Sequence, residues 1–169
     1  MRYTDKAKRI IQTKRGAHGA AAVEFALLLI PLLLMVAGVI EFGRTFWYYD
    51  ALTKATRDGA RLMSMADKDT IESTKGDAVD LVEAAANSAQ VFPVFTKENV
   101  RVDCLSASYA VVACEDGTAP INVQVTIVDY DVTIGGWIPL VTPTGTATWG
   151  ARLPPSTTMR YMCSGTGPC

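Results

Sequence analysis

The most restrictive feature of this 169-residue chain is the run from Ala20 to Ile40, which holds a single charge, Glu24. At about 1.5 Å of helical rise per residue the run extends roughly 30 Å, the thickness of a bilayer core. It is too long and too uniformly apolar for an ordinary core helix, and too little chain follows Ile40 to wrap it. The run therefore predicts a membrane helix. Pro31, near its middle, is tolerated there with a kink. A secretory signal has a shorter apolar region ending in a small-residue cleavage site. Val36 to Val39 offer only a weak site of that kind, and Glu41, Phe42 and Gly43 continue the helical pattern. No cysteine lies near the end of the run to take a lipid.

The net charge of −1 hides an asymmetry. Arg2, Lys6, Lys8, Arg9, Lys14 and Arg15 face only Asp5 in the first 19 residues, so the remainder is acidic. By the positive-inside rule the N-terminus stays cytoplasmic and the C-terminal part is exported. The expected topology is a single membrane pass with an exported C-terminal domain. An acidic exported part argues against a nucleic-acid partner, which needs a basic face.

Glu24 lies at the edge of the apolar run, five residues after Gly19. An ionisable group costs on the order of 3 kcal/mol at a bilayer centre, less near the interface, and usually has a partner. A basic leader ending in Gly19, then Ala20, Ala21, Ala22, Val23, Glu24 and Phe25, resembles the prepilin-peptidase site of type IV pilin-like proteins. The resemblance implies cleavage between Gly19 and Ala20, leaving a free amine with Glu24 as the fifth residue. It also implies that Glu24, flanked by Phe25, pairs with the N-terminal amine of an adjacent subunit during assembly. The plainer explanation of Glu24 is a carboxylate snorkelling at a helix start, favoured by the helix dipole.

Taken in order, residues 1–19 form the leader, expected to be poorly ordered. Residues 20–64 form one long helix that leaves the membrane as an amphipathic extension. Phe42, Phe46, Tyr49, Leu52, Thr56, Ala60 and Met63, spaced by three and four, define one apolar helical face. Trp47, Tyr48 and Tyr49 suit either an interfacial belt or packing on the exported domain. Glu41 and Arg44 are spaced to pair along the helix.

Residues 65–169 form the exported domain, with a turn at 65–69 and a second helix over 70–90. That helix presents Ile71, Ala78, Leu81, Val82, Ala85 and Ala89 on one face, and Gly76 weakens its first part. Strands are predicted over Val100–Leu105, Tyr109–Cys114, Ile121–Ile134 and Thr144–Leu153, with a turn at 115–120 and a loop at 135–143. The fold class is α+β: a long N-terminal transmembrane helix extending into a small exported domain with a second helix and an antiparallel sheet.

The stretch from Ala22 to Arg61 resembles the TadE-like family. The residues that carry the resemblance are Ala22, Val23, Glu24, Phe25, Ala26, Pro31 and Gly38, then Glu41, Phe42, Gly43 and Arg44. Ala51, Leu52, Thr53, Ala55, Arg57, Gly59, Ala60 and Arg61 complete it. The resemblance is weak over the C-terminal third, where Gly135 and Gly136 and the prolines at 154 and 155 depart from the pattern. It implies a minor pilin or pseudopilin-like component of the tight adherence (Flp) pilus system, acting in pilus biogenesis and adherence. The implied partners are the prepilin peptidase, other pilin-like subunits, the pilus assembly machinery and membrane lipid.

Cys104, Cys114, Cys163 and Cys169 all lie on the exported side, where disulfides persist. Four cysteines allow three connectivities. Local pairs, Cys104 with Cys114 and Cys163 with Cys169, are the expectation. A zinc site competes weakly, because there is no Cys-x-x-Cys and the one histidine, His18, precedes the cut. A mature chain without histidine excludes His-based triads. Asp80 and Glu83 are the best carboxylate pair for acid–base chemistry, and both suit a solvated helix face. No cofactor, metal or small-molecule substrate is expected, nor is an enzyme. The alternative is an uncleaved membrane-anchored periplasmic protein: a sensor, a scaffold or, less readily, an enzyme.

Overall fold

The computed structural model describes residues 4–134, 140–142, 145–147 and 149–162, with side chains over 19–134 and 150–162. Its architecture is α+β. A helix, α1 (Thr4–Ser64), is followed by α2 (Ile71–Ser88) and eight short strands. The chain divides into two compact units, Met1–Phe42 and Gly43–Cys169.

α1 begins at Thr4, so the leader expected to lack order extends the helix instead. Lysine, alanine, arginine and glutamine are good helix formers, and adding a residue to an existing helix costs far less than starting one. Pro31 lies inside α1. From Gly19 to Ile40 the helix is exposed all round, Ala37 excepted. Apolar side chains on every face, with no protein over them, mark the candidate membrane span.

In the second unit the last turns of α1 and all of α2 lie against an antiparallel sheet. Its strand order is β2 (Val111–Val112), β1 (Val100–Leu105), β3 (Asn122–Ile127) and β8 (Ser156–Arg160). β1 pairs with β3 from Val100 opposite Ile127 to Leu105 opposite Asn122. Two smaller antiparallel pairs complete the fold, β4 (Asp131–Ile134) with β7 (Trp149–Arg152), and β5 (Leu140–Thr142) with β6 (Gly145–Ala147). The core joins Tyr48, Leu52, Ala60 and Met63 of α1, Ile71, Ala78 and Val82 of α2, and Val102, Val123, Val125 and Ile127 of the sheet. Alternation along β1 and β3 produces that sheet face.

Several expectations need correction. The buried face of α1 runs through Tyr48, Leu52, Ala55, Thr56, Gly59, Ala60 and Met63, while Phe42, Phe46 and Tyr49 point outward. On α2, Leu81 is exposed and Ala86 takes the core position. The predicted strand Ile121–Ile134 is two strands in different sheets. Asp129 adopts φ 49° between them, a left-handed turn that lets Tyr130 enter the core. Strand pairing at Tyr109–Cys114 reduces to Val111–Val112. The predicted strand Thr144–Leu153 resolves into β6 and β7, and part of the expected loop at 135–143 is β5. β8 was not foreseen, because the prolines at 154 and 155 read as a break. They instead precede the strand, where proline costs no ladder bond, and Pro155 O accepts from Ile127 N at 3.0 Å.

Candidate functional site

The residues singled out by the sequence lie mostly along α1. Gly19 and Ala20 are consecutive helical residues, and nothing lies within 4 Å of where a Gly19 side chain would start. Ala20 sits one helical turn before Glu24 on the same side of the helix. Glu24 and Phe25 are both exposed.

Past the apolar run, each motif residue meets a distinct environment. Glu41 is buried at 6% exposure, on the helix face shared with Tyr48. The Arg44 guanidinium donates from Nη2 to Thr133 O at 3.2 Å and lies 5.8 Å from the centre of the Tyr48 ring. That position suits a cation–π contact and ties α1 to β4. Gly43 faces open space. Gly59 does the opposite: a Cβ there would stand 2.6 Å from Val82 Cγ2 and 3.5 Å from Ala78 O. Arg57 and Arg61 lie on the exposed side of the helix. The pattern that sequence reading treated as one motif therefore divides into a packing glycine, an anchoring arginine and two outward arginines.

The Cys104–Cys114 disulfide is formed, with Cα atoms 5.4 Å apart, so neither sulfur is a thiolate for zinc. Cys163 and Cys169 lie outside the described residues. Asp80 is engaged in an ion pair with Lys97, whose ammonium is held protonated above the usual lysine range chiefly by the hydrogen bond to Asp80. Among the described residues, no group of three or more His, Cys, Asp or Glu side chains converges to hold a metal.

A braced loop between α2 and β1 escaped the sequence reading. Asn87 receives Phe95 N at 3.2 Å and donates from Nδ2 to Phe95 O at 3.0 Å. Asn99 Oδ1 accepts from both Thr96 N and Thr96 Oγ1, and its Nδ2 donates to the carbonyls of Val128 and Asp129. Tyr130 donates its hydroxyl to Pro93 O at 2.7 Å and meets Phe95 edge-on at 5.3 Å. Burial pushes the Tyr130 hydroxyl up to about 12, with Tyr48 adding to the shift. Single asparagines and a tyrosine in an irregular segment carry no periodic signal, which is why they were missed.

These features define an α+β protein with a helix long and apolar enough to cross a membrane, consistent with single-pass anchoring. Residues 19–61 match the family model described as TadE-like protein, so the chain carries a TadE-like segment over that stretch. Nothing matches the chain among curated proteins or among solved structures.

Proposed function

We propose that this chain is a pilin-like assembly subunit of the Tad (Flp) pilus, matured by a prepilin peptidase and acting in pilus biogenesis and adherence. The single observation that carries the reading is the TadE-like match, which begins at Gly19 and runs through Glu24 to Arg61. On this reading residues 1–19 are the leader, 20–64 the membrane helix with its extension, and 65–169 the exported domain. The basic leader holds the N-terminus in the cytoplasm of an inner-membrane protein. The Cys104–Cys114 bridge supports export, since such bonds persist in oxidising compartments.

The peptidase cuts between Gly19 and Ala20. The new amine then sits one turn from the Glu24 carboxylate. Pairing Glu24 with the amine of an adjacent subunit neutralises two charges otherwise stranded in lipid, so cleavage is coupled to assembly. Partners are the peptidase, other pilin-like subunits and the assembly machinery, and the domain works as a binding surface without catalysis.

The test is the intact mass and N-terminal sequence of the protein from membranes, with and without the peptidase. A chain that starts at Ala20 only when the peptidase is present supports the reading. A chain that starts at Met1 in both overturns the maturation step and favours an uncleaved anchored protein.

A further inference from the structure

α2 is joined to α1 by a short connection and runs back along it. At one end of the domain, Ile71 and the Ser64 region meet the bridges from Gly117 N to Lys68 O and from Met162 N to Ser64 O. At the other end, Trp47 Nε1 donates to Ala89 O at 3.5 Å. The 89–99 loop lies at this Trp47 end, together with the turn at 128–130. The 106–110 turn, which follows β1 at Leu105, lies at the opposite end.

The Trp47 end is also where α1 arrives from its apolar run. If the charge of Glu24 sets the inner edge of the hydrocarbon, about 30 Å of bilayer takes about 20 residues and ends near Thr45. Trp47 then falls in the outer headgroup layer, the depth that Trp and Tyr favour. The loop that follows the Trp47–Ala89 contact exposes Phe92 at 64% and Val94 at 72%, and Trp47 itself is 60% exposed. These side chains do not hang from a slack segment. Phe95 is fully buried against Tyr130, and the loop backbone is held by Asn87, Tyr130 and Asn99.

We propose that the 89–99 loop seats on the bilayer beside the helix, with Phe92 and Val94 entering the boundary between headgroups and acyl chains alongside Trp47. The domain would thus have two membrane contacts, one spanning and one superficial. Lipid is the occupant favoured by continuity: the patch adjoins the residue at which the anchor leaves the membrane. Charge agrees. Among the described residues the cations at this end are engaged, Arg44 with Thr133 O, Lys97 with Asp80, Arg101 with Asp103, and Arg152 with Asp129 and Asp131, so attachment rests on apolar burial and works on zwitterionic lipid. The inference rests on the reading of α1 as a membrane span.

The test places p-benzoylphenylalanine singly at Phe92, Val94, Val36 or Tyr109 in the full chain, reconstituted in phosphatidylcholine vesicles and irradiated. Each product is read by intact mass. All four sites are exposed side chains, so the fold is spared. One-lipid adducts are expected at Val36, Phe92 and Val94 and absent at Tyr109, at the far end of the domain, with no loss in high salt. Adducts at Val36 alone overturn the loop contact and leave the anchor standing. Absence of an adduct at Val36 overturns the span and the loop contact together. Cross-linked dimers of the chain through Phe92 and Val94, in place of lipid adducts, show that a second copy covers the patch and overturn the proposal.

Discussion

Gly59 and Val82 are in contact so close that a Cβ on the glycine would stand 2.6 Å from Val82 Cγ2. The contact brings α1 and α2 together over Val125 of the sheet. Gly59→Ala forces either helix apart or drives Val82 from its rotamer, and such overpacking costs about 1–3 kcal/mol. Gly43→Ala is the matched comparison. Nothing lies within 4 Å of its Cβ position, so the better helix propensity of alanine should leave stability unchanged or raise it by up to about 1 kcal/mol. Denaturant melts of the two variants in the same detergent should diverge in sign or in size. Equal effects would remove the close-packing account of Gly59.

The Cys104–Cys114 bridge closes a loop with a sequence separation of 10. Tethering a loop that short removes about 2–3 kcal/mol of unfolded-state freedom in the chain-entropy model. Cys104→Ser with Cys114→Ser should lower stability by that order, while the helical circular-dichroism signal of α1 persists. A double variant that melts with the wild type would mean that the β1–β2 edge contributes nothing to cooperative unfolding.

Tyr130 lies in the core between Phe95 and Tyr48, and burial raises its hydroxyl from 10.0 to about 12. The neutral phenol is the form the fold prefers. Its contribution is therefore complete below pH 10, the ordinary value, and is lost as pH rises toward about 12. Across that window the wild type should lose up to about 2 kcal/mol more than Tyr130→Phe, which has no proton to give. Parallel alkaline melts of the two proteins check this, and curves that stay parallel above pH 10 would assign the alkaline loss to other groups.

What could be read from sequence depended on how far each signal was local. β1 was placed at Val100–Leu105 because Val100, Val102 and Cys104 alternate strictly against polar neighbours. The end of α1 was placed at Ser64 because the turn residues follow at once. The core face of α1 was read correctly at Leu52, Thr56, Ala60 and Met63 and misread only before them, because Phe42, Phe46 and Tyr49 count as apolar in any pattern. Exposed aromatics on a helix break the equation of apolar with buried. β8 was hidden because Ser-Thr-Thr-Met-Arg is polar and lies at a sheet edge, where only partial burial is needed. The role of Gly59 was invisible for a different reason: its neighbours Val82 and Val125 come from other elements. Of the candidate site, order and spacing along α1 were legible, while the separate environments of Arg44, Gly59 and the two outward arginines required the fold.

Glu24 offers the sharpest test of the assembly step. It is exposed on a helix whose neighbouring side chains are apolar, so its carboxylate meets either headgroups or another subunit. Glu24→Gln keeps the shape and the hydrogen-bonding capacity and removes the charge. A glutamine is less costly in lipid than a carboxylate, so insertion and yield should match the wild type. Cleavage after Gly19 should also persist, since the scissile bond lies a full turn away. Co-purification with other pilus subunits should fall by about ten- to a hundred-fold if an amine–carboxylate pair of about 1.4–3 kcal/mol is lost. The snorkelling account makes the opposite forecast. If Glu24 only reaches toward headgroups, Glu24→Gln should assemble as well as the wild type, and pilus biogenesis would be unchanged.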